Sequence, residues 1–237
     1  MPDLVELWVY LSASPLFGLT LTLVTYVAAV EIYQRLGQAP WANPVLWTVL
    51  TLACLLSWTE SPYAAYFAGA QFIHFLLGPA VVALAWPLWE RRAELRKRAR
   101  PLLIAALAGG ASAAASALAI GGAVGRPGEV LASVAPKSVT APVAMGIAEQ
   151  IGGIPALAAV FAVLTGLVGA VSAKYLFDFL RIRSPEVRGF ALGTASHGIG
   201  AARALQVDAR AGTYAALALG LQVLLASLLM PLLARSF

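Results

Sequence analysis

Two stretches of the sequence place polar and ionisable side chains inside long apolar runs. The first, residues 135–153, reads A-P-K-S-V-T-A-P-V-A-M-G-I-A-E-Q-I-G-G, and the second, residues 189–205, reads G-F-A-L-G-T-A-S-H-G-I-G-A-A-R-A-L. At membrane depth, irregular backbone and ionisable side chains are tolerated where they line a cavity or are buried in protein. Two such stretches therefore predict a substrate site. The predicted binding side chains are Lys137, Ser138, Thr140, Thr194, Ser196, His197 and Arg203.

The first stretch cannot form one continuous helix, because Pro136 and Pro142 interrupt the helical hydrogen bonds six residues apart. A lysine at the centre of a bilayer costs ~2.5–3.5 kcal/mol, so Lys137 indicates a function that offsets this cost. We expect it to hold an anionic group, together with backbone N–H groups at the start of a half-helix. The alternative is that Lys137 lies near an interface and extends its ammonium to water.

In the second stretch we expect breaks at Gly193 and Gly198, on either side of His197. An imidazole with an ordinary pKa of about 6.5 can carry a coupling proton. The alternative is a hydrogen-bonded packing residue, which is what a lone intramembrane histidine often is. The broken backbone around it favours the site interpretation.

Two further charged residues admit two interpretations each. The planar guanidinium of Arg203 suits a carboxylate ligand, but it would equally pair with Glu149 or with a backbone carbonyl. Glu149 is either a proton acceptor or the counter-charge of Lys137 or Arg203. Because the sequence has no Ser-His-Asp spacing, no P-loop and no metal cluster, we expect neither an enzyme nor a cofactor or metal site.

We expect transmembrane helices to hold these residues in place. Charged residues make up only 11% of the chain, against about 25% in soluble domains, and the mean hydropathy is +0.82. Five runs without Asp, Glu, Lys or Arg are each long enough to cross a hydrocarbon core of roughly 30 Å: residues 36–59, 61–89, 101–125, 150–173 and 211–234. We predict an all-α polytopic membrane protein in a lipid bilayer, a helical bundle forming a single integral membrane domain over residues 1–237.

The predicted helices cover residues 16–33, 45–58, 63–89, 102–122, 155–178 and 213–234. In the third of them, Gly78 and Pro79 predict a kink or a short unwound break. The N-terminal residues include Asp3 and Glu6 but no basic residue. We therefore expect no cleavable signal peptide and keep the first helix as a transmembrane span.

Basic residues cluster at residues 90–100 and 181–188. In a membrane protein this indicates cytoplasmic loops, with contact to anionic lipid as a lesser alternative. No soluble module surrounds either loop, so we expect no nucleic-acid binding. Three crossings before residue 90 then place the N-terminus outside. The first stretch becomes a re-entrant hairpin, and the second a hairpin or broken span of opposite direction, as in inverted-repeat, elevator-like transporters.

The sequence also resembles the LrgB/CidB family over nearly its whole length. The resemblance is carried by four ordered motifs: F-L-L-G-P-A-V-V-A-L-A-W-P-L from residue 75, P-K-S-V-T-A-P-V-A-M from 136, E-Q-I-G-G-I-P-A-L-A-A-V-F from 149 and R-G-F-A-L-G-T-A-S-H-G-I-G-A-A-R-A-L from 188. It implies a carrier of small monocarboxylates such as pyruvate, glycolate or glycerate. We expect this carrier in a bacterial inner membrane, with H⁺ or Na⁺ as the coupling ion. The family also includes the plastidal glycolate/glycerate translocator and was first described as antiholin-like.

The resemblance leaves a second function open, which is regulation of murein hydrolase activity and lysis by a holin-like complex without carrier activity. It also implies a small LrgA/CidA-like membrane protein as a partner, and we expect a homo-oligomer, with a dimer as our guess. One position departs from the family pattern. Ala201 stands where the motif G-I-G-T-A-R has threonine, which predicts altered substrate contacts.

Overall fold

The computed structural model describes residues 16–83, 85–90 and 92–234. Its contacts divide the chain into two compact units, Met1–Ala83 and Leu84–Phe237. The described residues form helices and no strands, which confirms the predicted all-α fold. The prediction about the signal peptide concerns residues outside those described. Arg91 of the basic loop also lies outside the described residues. That both units make one integral membrane domain stays a prediction.

The first unit contains three described helices: α1 (Phe17–Arg35), α2 (Pro44–Trp58) and α3 (Tyr63–Ala83), with a 3₁₀ turn at Pro40–Ala42. Asn43 starts α2, because its Oδ1 accepts hydrogen bonds from the backbone N–H groups of Val45 (3.0 Å) and Leu46 (3.1 Å). Helix α3 continues through Gly78 and Pro79. The unwound break predicted there is therefore wrong, and the kink stays a prediction.

The second unit carries both polar stretches. Its helices are α4 (Ala85–Glu90), α5 (Arg92–Lys97), α6 (Ala99–Ala123), α7 (Gly128–Val134), α8 (Ala141–Gln150), α9 (Pro155–Phe179), α10 (Pro185–Val207) and α11 (Ala209–Ala234). The predicted basic loop is partly helical in α5, since R-A-E-L-R-K consists of strong helix formers. By length and composition, four described helices can cross a membrane: α1, α6, α9 and residues Ala209–Leu233 of α11.

The first polar stretch forms two short helices separated by residues 135–140. Helices α7 and α8 have 7 and 10 residues, and neither could cross a hydrocarbon core alone. Ser133 at the end of α7 accepts a hydrogen bond from the backbone N–H of Ile154 (2.7 Å), just before α9. Helix α8 then packs along α9 through small and branched side chains of both helices: Ala144, Ile147, Ala148, Ala158 and Ala162.

The second polar stretch, α10, reverses direction in its middle. Only Ser196 and His197 inside it have non-helical dihedral angles. Gly189 lies against the backbone of Ala211, and Leu205 lies against the neighbouring Gly212. In a continuous helix residues 189 and 205 would be roughly 24 Å apart. The two halves of α10 therefore lie side by side, and both of their outer ends meet the start of α11.

Gly193 does not break the helix, contrary to the prediction. It lies in the first half of α10, where the backbone of Ala215 occupies the space that a Cβ would need. Its physical role is close helix packing. Gly198 follows the actual reversal at Ser196 and His197 directly, and the break between Pro136 and Pro142 is where the two prolines predicted it. How either stretch lies relative to a membrane stays a prediction.

Candidate functional site

The reversal in α10 is fixed by the His197 side chain. His197 has φ 42° and ψ −133°, a conformation that costs a non-glycine residue energy and is retained where the surroundings enforce it. Its Nε2 lies 2.7 Å from the carbonyl oxygen of Ala162 in α9, and the residue is 4% exposed. Because a carbonyl only accepts, Nε2 carries the hydrogen. In the neutral ring, Nδ1 is then free of hydrogen and able to accept a proton.

Two glycines of α9 make room for this reversal. A Cβ at Gly166 would lie 2.9 Å from His197 Cε1, and one at Gly169 would collide with Ser196 Oγ. The two glycines are three residues apart and so share one face of α9. The site prediction from the sequence missed both of them. Their spacing inside an apolar helix was the signal for a close approach by another segment.

The first break borders a cavity of about 140 Å³ between the break, α6 and α11. Ser138 lines it, is 7% exposed, and its Oγ has no hydrogen-bond partner in the described part of the chain. Gln222 of α11 lines the same cavity and donates from Nε2 to the carbonyl of Ala106 (2.6 Å). The site prediction did not include Gln222, although a single amide in an apolar span is itself a signal of a polar site.

Thr194 is a buried hydroxyl residue near the second break, as Ser138 is in the first. It is 6% exposed, and its Oγ1 likewise has no hydrogen-bond partner among the described residues. Its methyl group lies against Gly109 of α6, where a Cβ would be 2.8 Å away. The cavity at Ser138 is lined by the adjacent Gly110. The first break and Thr194, which lies two residues before the second break, therefore both lie near the middle of α6, at neighbouring residues that border different cavities.

The predicted cations occupy different environments. Lys137 is half-buried in the first break, and no described side chain forms an ion pair with it. Arg203 is buried in the second half of α10. Thr140 is half-buried and starts α8, and Pro142 lies in the first turn of that helix. The free N–H groups of this helix start therefore lie beside Lys137 and Ser138 in the sequence.

Glu149 lies on the exposed surface of α8. It forms an ion pair with neither Lys137 nor Arg203 in the described part of the chain. Its predicted role as proton acceptor or counter-charge stays a prediction. Ala201, where the family pattern has threonine, packs in an apolar cluster with Leu192 and Ala215. It lines neither of the cavities that Ser138 and Thr194 border.

The sequence was compared with known proteins. The profile of the LrgB-like family matches residues 22–236. The uncharacterized protein YxaC of Bacillus subtilis (strain 168) is 36% identical over 212 residues, which cover 90% of this chain and 92% of that protein. The holin-like protein CidB of Staphylococcus aureus (strain Mu50) is 28% identical over 222 residues, which cover 94% and 96%. No solved structure matches the chain.

Proposed function

This chain belongs to the LrgB-like family of bacterial membrane proteins, and on that premise we propose that it is a secondary transporter of small monocarboxylates. The substrate class is that of pyruvate, glycolate and glycerate. The anion binds near the middle of α6, beside the break at residues 135–140 and beside Thr194, which precedes the reversal at Ser196 and His197. H⁺ or Na⁺ is the coupling ion.

The observation that carries the proposal is a pair of buried hydroxyl groups, one beside each break. Ser138 Oγ and Thr194 Oγ1 have no hydrogen-bond partner among the described residues. A buried hydroxyl without a partner costs about 1–3 kcal/mol, and this cost is recovered when a ligand accepts its hydrogen. A carboxylate offers two acceptor oxygens and no donor, so a small anion can satisfy either hydroxyl group in the cavity that the group lines.

The charges near the breaks support an anion rather than a cation. Lys137 has no acidic partner in the described part of the chain, and the start of α8 adds the positive end of a helix dipole. His197 supplies a protonatable Nδ1 in a ring held by Ala162. In this proposal His197 carries the coupling proton, Arg203 adds positive charge, and no catalytic step or cofactor is involved.

The movement follows from how the two segments are connected. Four residues separate the end of α6 from the start of α7, and α10 begins after a short connection from the far end of α9. If α6 and α9 both cross the membrane, the two broken segments enter it from opposite faces, as in carriers with inverted repeats. We propose that they move together as an elevator or rocking unit, within a homodimer and beside a small LrgA/CidA-like membrane protein.

The second candidate is a holin-like regulator of lysis without carrier activity. It is favoured by the name of one relative, the holin-like protein CidB of Staphylococcus aureus, which is 28% identical. A regulator that acts only by association needs no buried hydroxyl groups facing a cavity. The two candidates therefore differ in whether a small anion binds at Ser138 and Thr194.

Uptake into proteoliposomes tests the proposal. Radiolabelled pyruvate, glycolate and glycerate are offered to the wild type, with and without gradients of pH and Na⁺. Lys137→Ala is compared with Lys174→Ala, an exposed lysine of α9 whose Nζ lies 2.9 Å from Asp178 Oδ2. We expect saturable uptake that Lys137→Ala abolishes and Lys174→Ala retains. Absence of uptake of all three acids by folded wild-type protein would overturn the carrier and favour the regulator.

A further inference from the structure

A second cavity, a groove of about 470 Å³, runs between α6 and the first half of α10. One end is bordered by Arg98, Glu186 and Tyr214, and the other by Gly109 and Thr194. Gly109 follows Arg98 by eleven residues, which is roughly 16 Å along a helix. That distance is about half of a hydrocarbon core of roughly 30 Å. The groove thus connects the charged start of α6 with the Thr194 hydroxyl, which lies near the middle of α6 and has no hydrogen-bond partner among the described residues.

The charged end of the groove is held together by specific contacts. Tyr214 donates from its hydroxyl to Glu94 Oε1 (2.7 Å), and Arg98 donates to the Tyr214 hydroxyl (3.4 Å). Glu186 accepts from Ser184 Oγ (2.7 Å) and pairs with Arg210 (3.5 Å). Each acidic group at this end therefore has a donor of its own.

The surrounding charge at this end is positive. Besides Arg98, the described residues 92–100 contribute the basic side chains of Arg92, Arg96, Lys97 and Arg100, against the single acid Glu94. A mouth of net positive potential raises the local concentration of anions. The inner walls are formed by small and apolar side chains such as Ala105 and Ala191, which offer an anion no competing binding site.

We propose that this groove is a water-filled route along which an anion passes from the segment 92–100 to Thr194, with Arg98 as its entry residue. The inference rests on the proposed carrier function, which it extends by an access path and a residue that selects for negative charge. A groove filled by lipid tails would leave the buried hydroxyl of Thr194 without a partner, which is costly in hydrocarbon. Water along the groove hydrates this hydroxyl until the anion replaces the water.

Accessibility to water-soluble thiol reagents tests the route without relying on transport. The chain has one cysteine, Cys54, which is replaced in a Cys54→Ala background. Ala191→Cys then reports on the groove wall, and Val168→Cys reports on the exposed surface of α9, where Val168 is 65% exposed. Arg96→Cys identifies the face of the membrane that carries residues 92–100. Reaction requires a hydrated thiolate, so a cysteine facing lipid should react slowly.

We expect Ala191→Cys to react with a charged methanethiosulfonate from the same face as Arg96→Cys, and much faster than Val168→Cys. Arg98→Gln should lower the rate with an anionic reagent relative to a cationic one by roughly threefold or more. Arg96→Gln, in the same segment but outside the groove lining, should change this ratio less. A variant that only loosened the fold would raise both rates together.

The outcomes separate this inference from the carrier. Equal, slow reaction of Ala191→Cys and Val168→Cys in a protein that takes up a monocarboxylate would overturn the groove and leave the carrier standing. Fast reaction of Ala191→Cys in a protein without uptake would overturn the carrier and support the groove as an aqueous path. An anion-to-cation ratio unaffected by Arg98→Gln would overturn the role of Arg98 as the entry residue.

Discussion

The two helix breaks of the second unit are built in different ways. The break at residues 135–140 is six residues long, contains Pro136, precedes Pro142 in the first turn of α8, and borders a cavity of about 140 Å³. The reversal at Ser196 and His197 is confined to two residues that pack into α9 against Gly166 and Gly169. The first break has space around it, whereas the second is held by close contacts and a hydrogen bond.

From this difference we infer which break adapts to a ligand and which one keeps its internal geometry. A closely packed reversal with an unfavourable φ has few alternative arrangements, because interiors tolerate small volume changes poorly. A longer break beside a cavity can move by rotating a few backbone bonds. We expect the His197 segment to keep its internal geometry while the two segments move together, and the Lys137 and Ser138 segment to close on the anion within that unit.

The largest expected effect comes from a substitution that fills the space beneath the second break. Gly169→Ala places a Cβ where Ser196 Oγ lies, so we expect a loss of about 1–3 kcal/mol or more in the free energy of unfolding. Gly146→Ala in α8 is the control, since nothing lies within 4 Å of its added Cβ. It should stabilise the helix by roughly 0.5–1 kcal/mol. Thermal unfolding in detergent, followed by tryptophan fluorescence, measures both. Equal stability of the two variants would refute the conclusion that the second break is held by close packing against α9.

The next effect concerns His197 and separates its two interpretations. His197→Ala removes the hydrogen bond to the carbonyl of Ala162, and we expect a loss of about 1–3 kcal/mol in stability. His197→Gln keeps an N–H donor but cannot be protonated near neutral pH. It should therefore fold, transport substrate and lose its response to a pH gradient. If uptake by His197→Gln responds to the gradient like the wild type, His197 is a packing residue and not the proton carrier.

A smaller effect should appear when either unpartnered hydroxyl is removed. Ser138→Ala and Thr194→Val each delete a hydrogen bond to a charged ligand, worth about 1.5–3 kcal/mol, which corresponds to roughly tenfold or more in apparent KM. Because neither hydroxyl has a partner among the described residues, the free energy of unfolding should fall little or rise. Uptake kinetics and unfolding are measured on the same preparations. An unchanged KM in Thr194→Val alone would limit the anion site to the first break.

The smallest effect on transport is expected at Ala201. Restoring the threonine of the family pattern adds a hydroxyl inside the apolar cluster around Leu192, away from both cavities. Overpacking should cost about 1–3 kcal/mol in stability, and KM should change by less than about twofold. Thermal unfolding and uptake of two competing monocarboxylates measure this. A change in substrate preference would instead support the altered substrate contacts predicted from the sequence.

Much of the fold was predictable because membrane helices are determined by local composition. The predicted spans at residues 155–178 and 102–122 correspond to Pro155–Phe179 and Ala99–Ala123. Pro136 and Pro142 located the first break, since proline acts on its own backbone. The second break was located only approximately, because glycine permits a reversal without requiring one. Gly193 serves packing, and the chain turns at Ser196 and His197 instead.

The membrane class, the family and the two polar stretches could be read from residue type and spacing alone. Three relations became visible in the folded chain: α10 folds back on itself, Gly166 and Gly169 receive His197 and Ser196, and Ser138 and Thr194 reach neighbouring residues of α6. Those relations join residues that are far apart in the chain. They depend on which helix surfaces pack together, and composition does not specify that.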